Sequence, residues 1–135
     1  MKQHALHSPD RGAAILGLVV TAGTHVPLVR EHLEEAPYVG WLFIALSAVA
    51  LVLALALLVA DTPVVWAITA AVALASLIAF VVSRTVGLPQ IGDDIGNWAD
   101  PLGYPALAAE AVVAFVSAAT LLRTRRTTML GQVPQ

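Results

Sequence analysis

A chain of 135 residues with 59% hydrophobic and 12% charged side chains has the length of one domain and a composition unsuited to folding in water. It contains no cysteine, which excludes disulfides, thiolate metal sites and thiol redox chemistry of the vitamin-K-epoxide-reductase kind as intramolecular functions. The formal net charge of −2 hides an uneven distribution, and the lone basic cluster, with no aromatic-bearing sheet or groove helix, excludes nucleic-acid binding.

A helix crosses about 30 Å of hydrocarbon with about 20 mainly apolar residues. Four runs meet that requirement, at 12–29, 38–60, 63–82 and 102–122. Residues 39–60 and 62–83 contain no Asp, Glu, Lys or Arg, whereas a soluble bundle carries charge on the outer face of each helix. The expected fold is therefore an all-α membrane protein. It is a single domain, a bundle of four transmembrane helices with both termini inside and a structured extracytoplasmic loop between the third and fourth.

Residues 1–11, with Lys2, His4, His7, Pro9, Asp10 and Arg11, show no apolar period and read as a mobile cytoplasmic tail with solvated histidines. The first span holds His25 and Pro27. A cleaved signal peptide ending near Thr21-Ala22-Gly23 is the competing reading of this segment. The apolar run continues through Val26, Pro27, Leu28 and Val29, however, and cleavage would leave three spans, so an uncleaved helix is simpler. Glu31, Glu34 and Glu35, around His32, read as a solvated acidic turn.

The second span opens with Tyr38-Val39-Gly40-Trp41. It is joined to the third by Asp61-Thr62-Pro63, in which Asp61 or Thr62 caps the next helix and Pro63 fits its first turn. Ala67, Ala71, Ala75 and Ala79 on the third span, with Ala111, Ala114 and Ala118 on the fourth, are the small residues expected where helices approach closely in lipid. The connection 83–101 is punctuated by Gly87, Pro89, Gly92, Gly96 and Pro101, and a connection of that length usually has structure of its own. Ile91, Ile95 and Trp98 recur at i, i+4 and i+7, the pattern of an interfacial half-helix. Residues 123–135 form the second cytoplasmic tail. Its Arg123, Arg125 and Arg126 lie beside the membrane, where each basic charge contributes about 1 kcal/mol toward anionic headgroups. These three arginines, Trp41 and Trp98 are the expected interfacial anchors.

With an even number of spans both termini share one face. That face collects Lys2, Arg11, Arg123, Arg125 and Arg126, against only Arg30 and Arg84 on the other. The positive-inside rule puts the basic termini in the cytoplasm of a plasma-membrane protein. The motifs Tyr38-Val39-Gly40-Trp41, Ser83-Arg84-Thr85-Val86-Gly87-Leu88-Pro89, and Trp98 with Asp100-Pro101-Leu102-Gly103 resemble those of uncharacterised small four-span membrane proteins of high-GC Gram-positive bacteria. The resemblance implies the architecture and no activity.

Ionisable groups within a bilayer are expensive and mark candidate functional sites. Three stand out: His25, about 6 Å inside the outer end of the first helix; Glu110, about 12 Å inside the outer end of the fourth; and Arg84, whose stem can turn back to pair with Glu110. A wider outward-facing cation site would join His25, His32 and Glu110 with Asp93 and Asp94 of the loop. Imidazole and carboxylate donors suit zinc, manganese, iron(II) or copper(II), although the spacing matches no established ligand motif and His25 and His32 stand about 10 Å apart along a continuous helix. Only a break at Pro27 would bring them together. Haem is disfavoured, because His25 is the only histidine within a span and a six-coordinate site needs axial ligands on facing helices.

No nucleophile and base pair is visible. The expectation is a non-enzymatic accessory subunit of a larger complex, or a binding module whose His/Glu/Arg cluster takes a metal ion or cofactor. The alternative is a small proton- or cation-coupled transporter acting as a homo-oligomer through Glu110. An enzyme using His25 and Glu110 as acid and base on a lipid-borne substrate or quinone ranks below both.

Overall fold

The structure, a computed structural model, describes residues 8–130. It is all-helical there, apart from turns and one isolated bridge between Leu88 and Ile91. The helices are α1 (Pro9–His25), α2 (Val29–Glu35), α3 (Pro37–Val59), α4 (Pro63–Thr85) and α5 (Gly103–Leu130). Four helical stretches, Pro9–Glu35, Pro37–Val59, Pro63–Thr85 and Gly103–Met129, are long and apolar enough to cross a membrane.

The chain turns helical earlier than its hydropathy indicates. Ser8 accepts a hydrogen bond from the Arg11 amide at 3.3 Å, Pro9 occupies the first turn and Asp10 lies at the positive end of the dipole, a full set of helix-start signals. Pro9, Asp10 and Arg11 therefore belong to the first helix and not to a tail; Lys2, His4 and His7 lie outside the described residues. At the far end Pro27 offers no N–H to the Gly23 carbonyl, and Val26–Leu28 tightens into a 3₁₀ turn before helicity resumes in α2. The glutamates expected in a turn, Glu31, Glu34 and Glu35, lie instead on α2, exposed, with Arg30 3.4 Å from Glu34.

Asp61 and Thr62 both serve the α3–α4 hairpin. Thr62 Oγ1 accepts from the Val65 amide at 3.3 Å, and Asp61 Oδ1 accepts from the Trp66 indole N–H at 2.6 Å. The fourth long helix continues past the expected boundary through Arg123, Arg125 and Arg126 to Leu130, because hydropathy marks where a helix leaves lipid and not where its hydrogen bonding stops. Arg125 and Arg126 are exposed there, and Arg123 pairs with Asp10 of α1.

Helix α1 lies between α3 and α5, α4 packs along α5, and α3 and α4 touch little. The core is built from small residues interleaved with a few large ones: Ala14, Leu18 and Ala22 of α1, Ala50, Ala54 and Leu57 of α3, Trp66 and Ala73 of α4, and Val113 of α5. Leu51, Val52, Leu55 and Phe115 point outward, which carries no penalty against lipid tails. The alanines singled out from the sequence lie elsewhere. Ala67, Ala71, Ala75, Ala79, Ala111 and Ala118 are exposed and Ala114 is half-buried, because the buried stripe of α4 runs through Trp66, Thr69 and Ala73 and that of α5 through Ala106, Ala109 and Val113. The closest approach is made by Gly17, where a Cβ would collide with the Val113 side chain and stand 3.2 Å from the Ala109 carbonyl.

The α4–α5 connection is ordered by tethers and not by a half-helix. Its regular part is one 3₁₀ turn, Gly92–Asp94. Gly87 and Gly96 carry positive φ of 86° and 79°, which end helicity on either side of Ile91 and Ile95 and leave no room for the expected i, i+4, i+7 repeat. Ile91 is buried against Ala36 and Val39, the Tyr38 hydroxyl donates to the Pro89 carbonyl at 2.7 Å, and the Gly96 amide donates to the Arg84 carbonyl at 2.8 Å. Trp98 stacks edge-on to Phe80 with centroids 6.2 Å apart and remains half-exposed, while Trp41 is exposed on α3.

Candidate functional site

His25 ends α1, immediately before the Pro27 turn, and its Nδ1 lies 2.8 Å from the Thr21 carbonyl. A carbonyl oxygen can only accept, so Nδ1 carries the proton and Nε2 is the atom turned toward the bundle. Nε2 stands 3.8 Å from Oε1 of Glu110, which is 2% exposed on α5. The same Oε1 accepts from the Ser76 hydroxyl of α4 at 2.5 Å. Phe43 of α3 closes the remaining side. Its ring meets His25 edge-on at 4.9 Å between centroids and also meets His32, tilted, at 4.8 Å. Three of the long helices thus supply polar atoms, and the fourth supplies an aromatic wall.

The structure separates other residues that the sequence grouped together. Arg84 does not reach Glu110. Its Nη1 lies 2.7 Å from Asp94, its Nη2 lies 3.2 Å from Asp100, and its guanidinium carbon sits 5.0 Å from the centre of the Phe80 ring. The reason is local: Arg84 lies in the last turn of α4, where the connection folds Asp94 and Asp100 back onto it, and two counter-charges there outcompete one carboxylate held deeper by Ser76. Arg84 is a clamp on the loop, and Asp100 also accepts from the Leu102 amide at 3.0 Å, starting α5.

The five-residue metal site does not assemble. The break at Pro27 exists and brings His25 and His32 against the same Phe43 ring, yet the two histidines and Glu110 do not form a group that could hold a metal ion. His32 spends its Nδ1 on the Leu28 carbonyl at 2.9 Å, Asp94 is taken by Arg84, and Asp93 is exposed on the loop. Among the described residues no group of three or more His, Asp or Glu side chains could hold a metal ion.

Two participants were missed from the sequence, Ser76 and Phe43, as was a buried contact of Arg11 at the other end of α1. Ser76 and Phe43 carry no charge and lie in unbroken apolar runs, so only the register of α4 against α5 and of α3 against α1 reveals them. Arg11 is 2% exposed, and its Nε donates to the Leu57 carbonyl near the end of α3. A charge at a helix start just outside an apolar run is a signal for such a buried snorkelling contact.

The order of contacts limits the chemistry. Hydroxyl, carboxylate and imidazole follow one another as Ser76, Glu110 and His25, so the imidazole stands beyond the carboxylate and cannot take the serine proton, as a nucleophilic triad demands. The hydroxyl nearest His25 is Thr24, 3.4 Å from Nδ1, the protonated nitrogen, and it donates to the Val20 and Thr21 carbonyls. The chain matches no family model, no curated protein and no solved structure.

Proposed function

We propose that the protein is a non-enzymatic component of the plasma membrane, an accessory subunit of a larger membrane complex or a small binding module. It crosses four times, with both termini in the cytoplasm and the α4–α5 connection outside. The observation that carries the reading is that the buried ionisable groups have partners within the bundle. Glu110 accepts from Ser76 with His25 3.8 Å away, Arg84 is held by Asp94 and Asp100, and Arg11 donates to the Leu57 carbonyl. Groups matched in this way fix helix register and favour a single packing arrangement. The orientation is supported by Arg11, Arg123, Arg125 and Arg126 at one end of the bundle, against Arg30 and Arg84 at the other.

The test is the purified protein in mild detergent, analysed for elemental content and ultraviolet-visible absorption, and then for ion flux after reconstitution in liposomes. The proposal expects no stoichiometric metal or chromophore and no flux that Glu110→Gln abolishes. Metal lost in His25→Ala would overturn it. The alternative, a proton- or cation-coupled transporter acting as an oligomer through Glu110, is favoured by the sealing of that carboxylate at 2% exposure inside a spanning helix. Flux lost in Glu110→Gln would select it.

A further inference from the structure

We infer that His25 and Glu110 together form a binding site for a single exchangeable proton, a property the accessory reading does not require and one that the transporter reading places on Glu110 alone. Because Nδ1 of His25 donates to the Thr21 carbonyl, the neutral imidazole presents its lone pair at Nε2, and Nε2 faces Glu110 Oε1 at 3.8 Å. Three occupancies are conceivable, and they differ in charge. With no proton, a lone pair confronts an ionised carboxylate that only Ser76 solvates, an expensive arrangement away from water. With two protons, a carboxylic acid faces an imidazolium, and the site holds an uncompensated positive charge. With one proton the site is neutral, whether as imidazolium and carboxylate or as imidazole and carboxylic acid.

The surroundings reinforce the one-proton state. Among the described residues, the groups turned toward the pair are Thr21 and Thr24 from α1, Phe43 from α3 and Ser76 from α4, none of them charged. His32 of α2, which meets the same Phe43 ring, is a further titratable group beside the pair, and the Arg84 charge at that end of the bundle is already taken by Asp94 and Asp100. Among the described residues no ion pair other than their own reaches His25 or Glu110, so the pair balances itself. The imidazole is the more exposed partner, with the His25 side chain 12% exposed and that of Glu110 only 2%. A separation of 3.8 Å exceeds a hydrogen bond, so transfer needs a swing of the Glu110 side chain of about 1 Å. Such a pair exchanges its proton as one unit, with properties that belong to neither residue alone.

The experiment counts the proton in the full-length protein in lipid nanodiscs at neutral pH. Nitrogen-15 NMR of histidine-labelled protein gives the protonated fraction of His25 Nε2, and infrared spectroscopy of the carboxylic-acid stretch gives the protonated fraction of Glu110. His25→Gln and Glu110→Gln assign the two signals. Should Glu110→Gln fail to fold, Glu110→Asp moves the band and assigns it equally well. The expected result is that the two fractions sum to one proton per molecule, however it is divided, and that this sum persists while pH is varied around neutrality. A sum of zero or two, or fractions that change independently, overturns the inference. The count is read on the unmodified protein, so it stands or falls separately from metal content and from ion flux.

Discussion

Gly17 is the residue through which α1 and α5 come closest, and Gly17→Ala is expected to destabilise the protein against the usual helix preference. In an open helix position the exchange gains about 0.5–1 kcal/mol, because alanine loses less backbone freedom on folding. At Gly17 the new methyl would overlap the Val113 side chain and stand 3.2 Å from the Ala109 carbonyl. Val113 is fully buried and β-branched, with essentially one rotamer in a helix, so it cannot turn aside and the helices must separate. Overpacking of this kind costs about 1–3 kcal/mol, leaving a net loss of up to about 2.5 kcal/mol once the propensity gain is subtracted. Gly12 and Gly23 lie on the same helix with nothing within 4 Å of an added Cβ, and alanine at either should be neutral or stabilising. The assay is reversible unfolding in mixed micelles followed by circular dichroism, on the three single variants and on Gly17→Ala with Val113→Ala. The double variant should recover part of the loss, with a coupling of about 0.5–3 kcal/mol. A Gly17→Ala protein as stable as Gly12→Ala would refute the packing of α1 on α5.

Arg84→Ala should leave Asp94 and Asp100 as neighbouring uncompensated carboxylates. The cost is about 2 kcal/mol, below that of a fully buried pair because both acids are 23% exposed, and it should appear as faster amide exchange confined to 86–102. Arg84→Lys should not restore protection, since the two carboxylates are held by two different nitrogens of one planar group. Asp61→Ala should alter Trp66 fluorescence and cost about 1 kcal/mol by removing the partner of the indole N–H. The chain has no cysteine of its own, so single introduced cysteines report sidedness cleanly. Asn97→Cys should react with an impermeant maleimide in intact cells and Thr127→Cys only after permeabilisation; the reverse pattern would overturn the orientation.

The spans were legible because an unbroken apolar run of helix length has few alternatives, and α3 and α4 coincide with such runs almost to the residue. Helix ends were less legible where polar residues remain helical, as at Pro9–Arg11, where Ser8 caps, and at 123–130, where Thr124, Thr127 and Thr128 bond back to preceding carbonyls. Among the site residues, His25 and Glu110 announced themselves as ionisable groups in apolar surroundings, and the structure does bring them together. Their partners did not, since the role of Ser76 depends on the rotation of α4 about its axis and that of Phe43 on the course of α3 beside the Pro27 turn. The choice of Arg84 between Glu110 and the loop acids depended on a fold of the α4–α5 connection set by Gly87 and Gly96, whose effect on distant pairings no local pattern encodes.

The proximity of His25 and Glu110 inside the bundle is tested most directly by a double-mutant cycle of His25→Gln and Glu110→Gln, with unfolding free energies taken in mixed micelles. Residues in contact within one polar network should be coupled by about 0.5–3 kcal/mol, and the double variant should be more stable than the sum of the single losses implies, because no orphaned partner remains. Additivity within about 0.3–0.5 kcal/mol would mean that the two residues act independently, and would contradict the reading of the bundle's ionisable groups as satisfied by one another.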